Sequence, residues 1–166
     1  MLRRKKPLPP LQRVDGGFSL NLQAEEREML TRLLDELTEL LTGSPEQPLL
    51  RRMFPPAYHL PADAEADAEY QRLMREDLVA SRLEAITTLG AALRGQELLD
   101  EAGLTALMQA INALRLVLGT LLDVDEEHDL DEVADDDPLL GEHHLYGYLS
   151  FLLDAAVRAS LSPATG

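Results

Sequence analysis

The chain has 166 residues, a length typical of one domain that can bury a sizeable core without disulfides. It contains no cysteine, which excludes disulfides, thiol catalysis, thiol redox sensing and cysteine-based zinc sites. Its 30 acidic and 15 basic residues give a net charge of −15, so the protein should repel nucleic-acid phosphates and suit a basic protein surface instead.

The N-terminal region is predicted to be a basic arm followed by a β-hairpin. Residues 1–13 hold five basic residues and no acid, and prolines stand where a signal peptide would have an apolar stretch. We interpret residues 1–10 as a flexible arm and expect a cytoplasmic protein. An Asp-Gly turn between segments of alternating polarity predicts a hairpin over residues 11–22.

Helices are predicted in the rest of the chain, because apolar residues recur at helical spacing between helix-breaking residues. We place them at residues 24–41, 64–93, 101–122 and 138–160, with an acidic loop at 123–137. The expected fold is mainly α: a single domain over residues 11–162, built as a bundle of four main helices with a short N-terminal β-hairpin. Leucine stripes on the first and last helices face either this core or a second copy, which leaves a homodimer open.

The connector before the second helix is unusual for a loop. It combines an arginine pair with apolar and aromatic side chains, including Arg51, Arg52, Phe54 and Tyr58. We expect a short helical turn here, ended by two prolines, and take these four residues as candidates for contact with a partner. A local salt bridge between the arginines and the many nearby acids explains the pair equally well.

The predicted loop at residues 123–137 contains ten acidic residues. Its alternating carboxylates resemble a calcium loop, but His128 and Ala134 stand where such a loop needs Gly and Glu. The composition favours a solvated acidic segment or a docking surface for a basic partner, and calcium binding stays open as a third alternative. In the second case, the candidate contact residues are Asp125, Glu126, Glu127 and Asp129.

From Leu104 to Asp123 the third helix is apolar on nearly every side, and its single charge before Asp123 is Arg115, three residues after Asn112. Such a helix must be buried, and a buried guanidinium needs a partner. We predict an ion pair between Arg115 and a carboxylate of the second helix, either Asp77 or Glu69. Alternatively, the polar strip with Asn112 binds a partner helix or a small molecule. Membrane insertion of this helix is disfavoured by its polar residues.

No complete catalytic or metal-binding motif occurs in the sequence. A phosphate-binding glycine loop, a nucleophile elbow, a dinucleotide fingerprint and a helical zinc motif are all missing. Carboxylate pairs are frequent in a chain with 30 acids, so they have no diagnostic value. We therefore expect no enzymatic activity, no cofactor and no metal.

Three segments in this order resemble one known family. They are Leu50-Arg51-Arg52-Met53-Phe54-Pro55-Pro56-Ala57-Tyr58, Glu69-Tyr70-Gln71-Arg72-Leu73 and Asn112-Ala113-Leu114-Arg115-Leu116-Val117-Leu118-Gly119. They are similar to the actinobacterial oxidative-stress transcriptional regulator family (AosR-like), long catalogued as a domain of unknown function. The resemblance implies a non-enzymatic cytoplasmic regulator that binds a protein, with an RNA polymerase sigma factor as the kind of partner.

The redox switch of that family cannot operate here. Redox-responsive members are expected to carry a C-x-x-x-C pair near the N-terminus, whereas this chain has arginines and lysines there and no cysteine. The family is also associated with gene neighbourhoods that encode a Clp-protease adaptor, which implies an accessory role in proteolysis as an alternative. A helical module that binds a small molecule or an ion, and an unrecognised hydrolase, stay open as further hypotheses.

Overall fold

The computed structural model describes residues 6–54, 64–124 and 130–163. Strands β1, Leu11–Val14, and β2, Gly17–Leu20, form a two-stranded antiparallel hairpin. Helices α1 to α4 span Ala24–Thr42, Ala64–Arg94, Glu101–Leu122 and Leu140–Leu161. Short 3-10 turns at Pro48–Leu50 and Leu130–Glu132 lie between α1 and α2 and between α3 and α4. The predicted fold class, four main helices with an N-terminal hairpin, is confirmed.

The helix limits agree with the predicted ones to within one residue, except at the start of α4. The sequence Asp137-Pro138 predicts a start at residue 138, but α4 begins at Leu140. Asp137 Oδ1 accepts a hydrogen bond from Leu139 N at 2.8 Å, and the Asp137 carbonyl accepts one from Leu140 N at 3.1 Å. The aspartate therefore closes a turn just before the helix instead of capping the helix itself.

The core lies where α3 packs against α2 and α4. The other helices contribute large side chains that are at most 1% exposed. They include Leu30, Leu37, Leu89 and Leu149. Among the described residues, α3 is the one helix long and apolar enough to cross a membrane. Of its most apolar stretch of 18 residues, however, 56% is buried inside the protein. The central helix of a core satisfies the same criteria of length and composition.

The hairpin is attached to the helices through Phe18 and Arg13. Phe18 is 1% exposed and exchanges two backbone hydrogen bonds with Leu99, at 2.8 and 2.9 Å. This close approach requires glycine at position 17, where φ is +152° and a Cβ would collide with the Leu99 carbonyl. Arg13 lies 4.6 Å from the Phe18 ring centre and donates a hydrogen bond to the Ser160 carbonyl at 3.1 Å. The hairpin thus connects the start of α3 with the end of α4.

Arg27 on α1 joins the hairpin to the C-terminal end of α2. Its guanidinium donates hydrogen bonds to the carbonyl oxygens of Leu20, Leu22, Ala92, Leu93 and Gly95, at 2.9, 3.2, 3.4, 3.0 and 3.2 Å. The last carbonyls of a helix have no partner within the helix, and a cation beside them also interacts favourably with the helix dipole. Arg27 therefore satisfies the end of α2 and fixes three elements relative to one another.

We expect Arg27→Ala to lower the free energy of unfolding by about 2–4 kcal/mol, because partly buried carbonyls lose a charged donor. Thermal and urea denaturation followed by circular dichroism measure the change. Arg32→Ala, an exposed residue of the same helix, is the control and should change the free energy by less than about 0.5 kcal/mol. Equal stabilities of the two variants would contradict the role given to Arg27.

Candidate functional site

Arg115 lies between α3 and α4, half-buried, and its partners are uncharged. Its Nε donates to Ser150 Oγ at 2.9 Å, Nη1 donates to Asn112 Oδ1 at 3.4 Å, and Nη2 donates to Tyr146 Oη at 3.5 Å. The guanidinium carbon also lies 5.3 Å from the ring centre of Tyr146, within the range of a cation–π contact. Neutral oxygens and an aromatic ring therefore stabilise this cation.

The predicted ion pair between Arg115 and α2 is not formed. Asp77 is exposed to solvent, and Glu69 is exposed and pairs with Arg72 at 3.4 Å. None of the ion pairs between described residues includes Arg115. The prediction requires Arg115 to face α2, whereas α3 packs on both α2 and α4 and this side chain contacts Ser150 and Tyr146 of α4. Of the residues grouped with Arg115 in the sequence, only Asn112 contacts it.

The arginine pair, Arg51 and Arg52, lies beside the C-terminal end of α3. Their Nη2 atoms are 3.6 and 3.9 Å from Oδ1 of Asp123, the residue that ends α3 in the left-handed conformation with φ 50°. A Cβ at Gly119 would lie 2.8 Å from Arg52 Nη1, so the glycine lets Arg52 pack directly on the helix. Cations stabilise the C-terminal end of a helix. The structure thus forms the local salt bridge, and contact of the pair with a partner stays a prediction.

The remaining candidates for partner contact are described only in part. Phe54 is half-buried, and the guanidinium of Arg75 lies 4.7 Å from its ring centre. Five candidates lie outside the described residues: Tyr58, Asp125, Glu126, Glu127 and Asp129. Among the residues that are described, no group of three or more His, Asp or Glu side chains is arranged to hold a metal ion.

The N-terminal half of α2 extends beyond the core. Between residues 65 and 78, every side chain whose burial is described is exposed except Arg75, and the fully buried side chains of α2 begin only at Ala85. Four large apolar side chains are 39–59% exposed in this half: Tyr70, Leu73, Met74 and Leu78. Their spacing places them on one side of the helix. We call this set the α2 apolar face.

The sequence pattern contained these four residues but could not reveal their exposure. Apolar residues at helical spacing run from Tyr70 to Leu93 without a break, so the pattern alone does not show where the core ends. An exposed and contiguous apolar face on a folded protein usually marks an interaction site. A helical segment as short as residues 65–78 is only marginally stable in water when it is isolated. A partner that covered this exposed half of α2 would therefore stabilise its helical conformation.

A groove lies beside this face, between the first half of α2, the end of α1 and the Pro48–Leu50 turn. Its volume is about 760 Å³, which is in the usual range of small-molecule sites. The apolar lining includes Leu41, Leu50, Met53, Phe54, Val79 and Leu83. Arg72, Arg75 and Glu76 supply its charged groups. We call it the α2 groove; Met74 and Leu78 line it as well as belonging to the apolar face.

A family model described as a domain of unknown function (DUF2017) matches residues 8–160, which include the hairpin and nearly all of the helical bundle. The chain belongs to the DUF2017 family. No curated protein and no solved structure matches it significantly. Membership in DUF2017 therefore identifies related chains without assigning an activity to them.

In this DUF2017 protein, the segments that carry the resemblance described above meet around the Pro48–Leu50 turn. Arg52 of the first segment packs on Gly119 of the third, and Phe54 of the first lines the α2 groove together with Arg72 of the second. Described residues of the first segment thus contact the third segment on one side and share the groove with the second on the other. The sequence could not reveal this convergence, because it depends on how the helices pack.

Tyr148 connects α4 to the start of α1. Its hydroxyl donates to Glu26 Oε1 at 2.9 Å, while Glu26 Oε2 accepts a hydrogen bond from Gln23 N at 2.8 Å. Burial, the hydrogen bond to Glu26 and the negative charge of Glu26 raise the pKa of Tyr148 well above its ordinary value of 10.0. The folded DUF2017 protein therefore favours the neutral form of the Tyr148 side chain.

This shift predicts a loss of stability at alkaline pH. Above pH about 10 the unfolded chain releases the Tyr148 proton while the folded chain keeps it. The contribution of Tyr148 to the free energy of unfolding is therefore fully present below that pH and is lost as the pH rises. We expect the stability of the wild type to fall more steeply than that of Tyr148→Phe above pH about 10. Chemical denaturation at a series of pH values measures both slopes.

Tyrosinate absorbance of the folded protein gives a second measurement of the same shift. One late-titrating tyrosine should disappear in Tyr148→Phe and persist in Tyr70→Phe, which leaves the hydrogen bond between Tyr148 and Glu26 in place. A Tyr148→Phe variant that keeps the late transition and loses an earlier one would show that the pair with Glu26 does not form.

Proposed function

We propose that this protein is a non-enzymatic regulator that acts by binding another protein through the α2 apolar face. The observation that carries the proposal is the exposure of four large apolar side chains, 39–59% each, on one side of a helix. Charged residues such as Glu69 and Arg72 border this face, as polar groups border the apolar centre of a protein interface. A covered apolar centre with a polar rim is the usual design of such contacts.

An RNA polymerase sigma factor is the partner that we propose, on the basis of the family resemblance. The net charge of −15 supports a basic partner surface, because opposite charges speed the encounter and the apolar contacts then hold the complex. The chain has no cysteine, so binding should not respond to oxidants through a thiol. Direct binding to nucleic acid forms no part of the proposal.

Site-directed photo-crosslinking tests the surface. Because the natural chain lacks cysteine, Leu73→Cys offers a unique attachment point for a thiol-reactive photo-crosslinker. We expect covalent adducts with a purified sigma factor of the source organism from position 73. Leu161→Cys is the control: Leu161 is 79% exposed but lies at the end of α4, so it should give none.

The other outcomes of this experiment are equally informative. Equal adducts from both positions would mean that contact is nonspecific and would overturn the proposed surface. Adducts only between copies of the chain would identify the apolar face as a homodimer interface. Adducts with a purified Clp-protease adaptor and none with sigma factors would replace the proposed partner by the proteolytic alternative.

Substitution of the face should weaken binding without unfolding the protein. Tyr70 and Leu73 are 59% and 50% exposed, so the double variant Tyr70→Lys, Leu73→Lys should keep its thermal midpoint. We expect its affinity for the sigma factor to fall by at least about tenfold, as for loss of apolar interface anchors. Leu161→Lys should leave the affinity unchanged. Surface plasmon resonance also tests the charge contribution, since added salt should mainly slow association.

A further inference from the structure

The α2 groove combines an apolar lining with two arginine side chains. The protein as a whole carries twice as many acidic as basic residues. The charged residues of the groove lining are nevertheless two arginines, Arg72 and Arg75, and one acid, Glu76. The lining is thus less acidic than the protein as a whole, although Glu69, which lies outside the lining, pairs with Arg72.

Arg75 is held in place at this groove by contacts that leave its charge uncompensated. Its guanidinium lies 4.7 Å from the ring centre of Phe54 and donates a hydrogen bond to the Pro45 carbonyl. Arg75 takes part in none of the ion pairs formed between described residues. A fixed cation at an apolar groove is a pre-organised site for an anionic group.

Arg72 stands one helical turn before Arg75 and can turn to the same anion. Its ion pair with Glu69, at 3.4 Å, joins two side chains that are 65% and 69% exposed. Exposed pairs of this kind contribute little free energy, so a bound anion can replace Glu69 at small cost. The planar guanidinium matches a carboxylate through two parallel hydrogen bonds.

We propose that the α2 groove binds a long-chain carboxylate. The alkyl chain would lie against Leu50, Met53 and Phe54, and the carboxylate would bind Arg75 and Arg72. A volume of about 760 Å³ accommodates such a chain. A single negative charge suits the site better than a doubly charged phosphate, because Glu76 in the lining and Glu69 beside Arg72 already oppose the charge of the two arginines. This inference concerns the purified chain alone and does not depend on the proposed protein partner.

Methionine methyl groups provide a direct readout of binding. Met53 and Met74 line the groove, whereas Met29 and Met108 do not. In protein labelled with ¹³C at the methionine methyls, dodecanoate added below its micellar concentration should shift the Met53 and Met74 signals in a saturable way. The Met29 and Met108 signals should stay in place. Equal shifts at all four signals, or shifts that do not saturate, would overturn the proposal.

Ligand and protein variants test the role of charge. Dodecanol has the same chain without the negative charge, and its affinity should be at least about tenfold lower. Arg72→Met alters only an exposed residue and should lower the affinity for dodecanoate several-fold. The double variant Arg72→Met, Arg75→Met should bind dodecanoate no more tightly than dodecanol. Arg158→Met, an exposed arginine of α4 outside the groove, is the control and should bind like the wild type.

Two results would contradict the proposed head-group site. Equal affinity of the wild-type protein for dodecanol and dodecanoate would mean that the groove binds apolar chains without using its arginines. Unchanged dodecanoate affinity in Arg72→Met and in the folded double variant would place the carboxylate elsewhere. Binding of an acidic amphipathic peptide together with no binding of dodecanoate would assign the groove to a protein ligand instead.

Discussion

Arg27 secures only one end of the longest helix, and the surfaces of greatest functional interest follow from that constraint. Its hydrogen bonds to Leu93 and Gly95 join the C-terminal end of α2 to α1 and to the hairpin. Burial reinforces this end, where Leu89 and Leu93 belong to the core. The other end has no comparable anchor among the described residues. This half of α2 therefore exposes the apolar face and lines the groove beside it, and Met74 and Leu78 belong to both.

The elements of this fold could be predicted because their signals are local. Apolar spacing, a capping aspartate before α3 and an Asp-Gly turn in the hairpin each depend on neighbouring residues. Asp100 precedes α3 directly and caps it, because its Oδ1 accepts a hydrogen bond from Gly103 N at 2.7 Å. The predicted start of α4 is two residues too early, because an aspartate accepts similar backbone hydrogen bonds in a turn and in a helix cap. A single-residue signal does not distinguish these two arrangements.

The candidate site was harder to predict because it depends on which neighbours a helix has. The sequence shows that Arg115 needs a partner, but it does not show that three neutral groups on two helices take the place of a carboxylate. In the same way, a period of 3.6 residues indicates the apolar side of α2 without showing what covers it. Tyr70 and Leu89 belong to the same pattern, yet one is 59% exposed and the other 1%.

The division of α2 into an anchored half and an exposed half has a consequence for how the protein responds to its ligands. Backbone amides in the anchored half open only with much of the core, whereas those in the exposed half can open locally at lower free energy. A molecule that covers the exposed half adds its binding free energy to that local equilibrium. A bound ligand would therefore extend the part of the protein that unfolds cooperatively towards residue 64. Slower hydrogen exchange of the backbone amides in the exposed half would show this change.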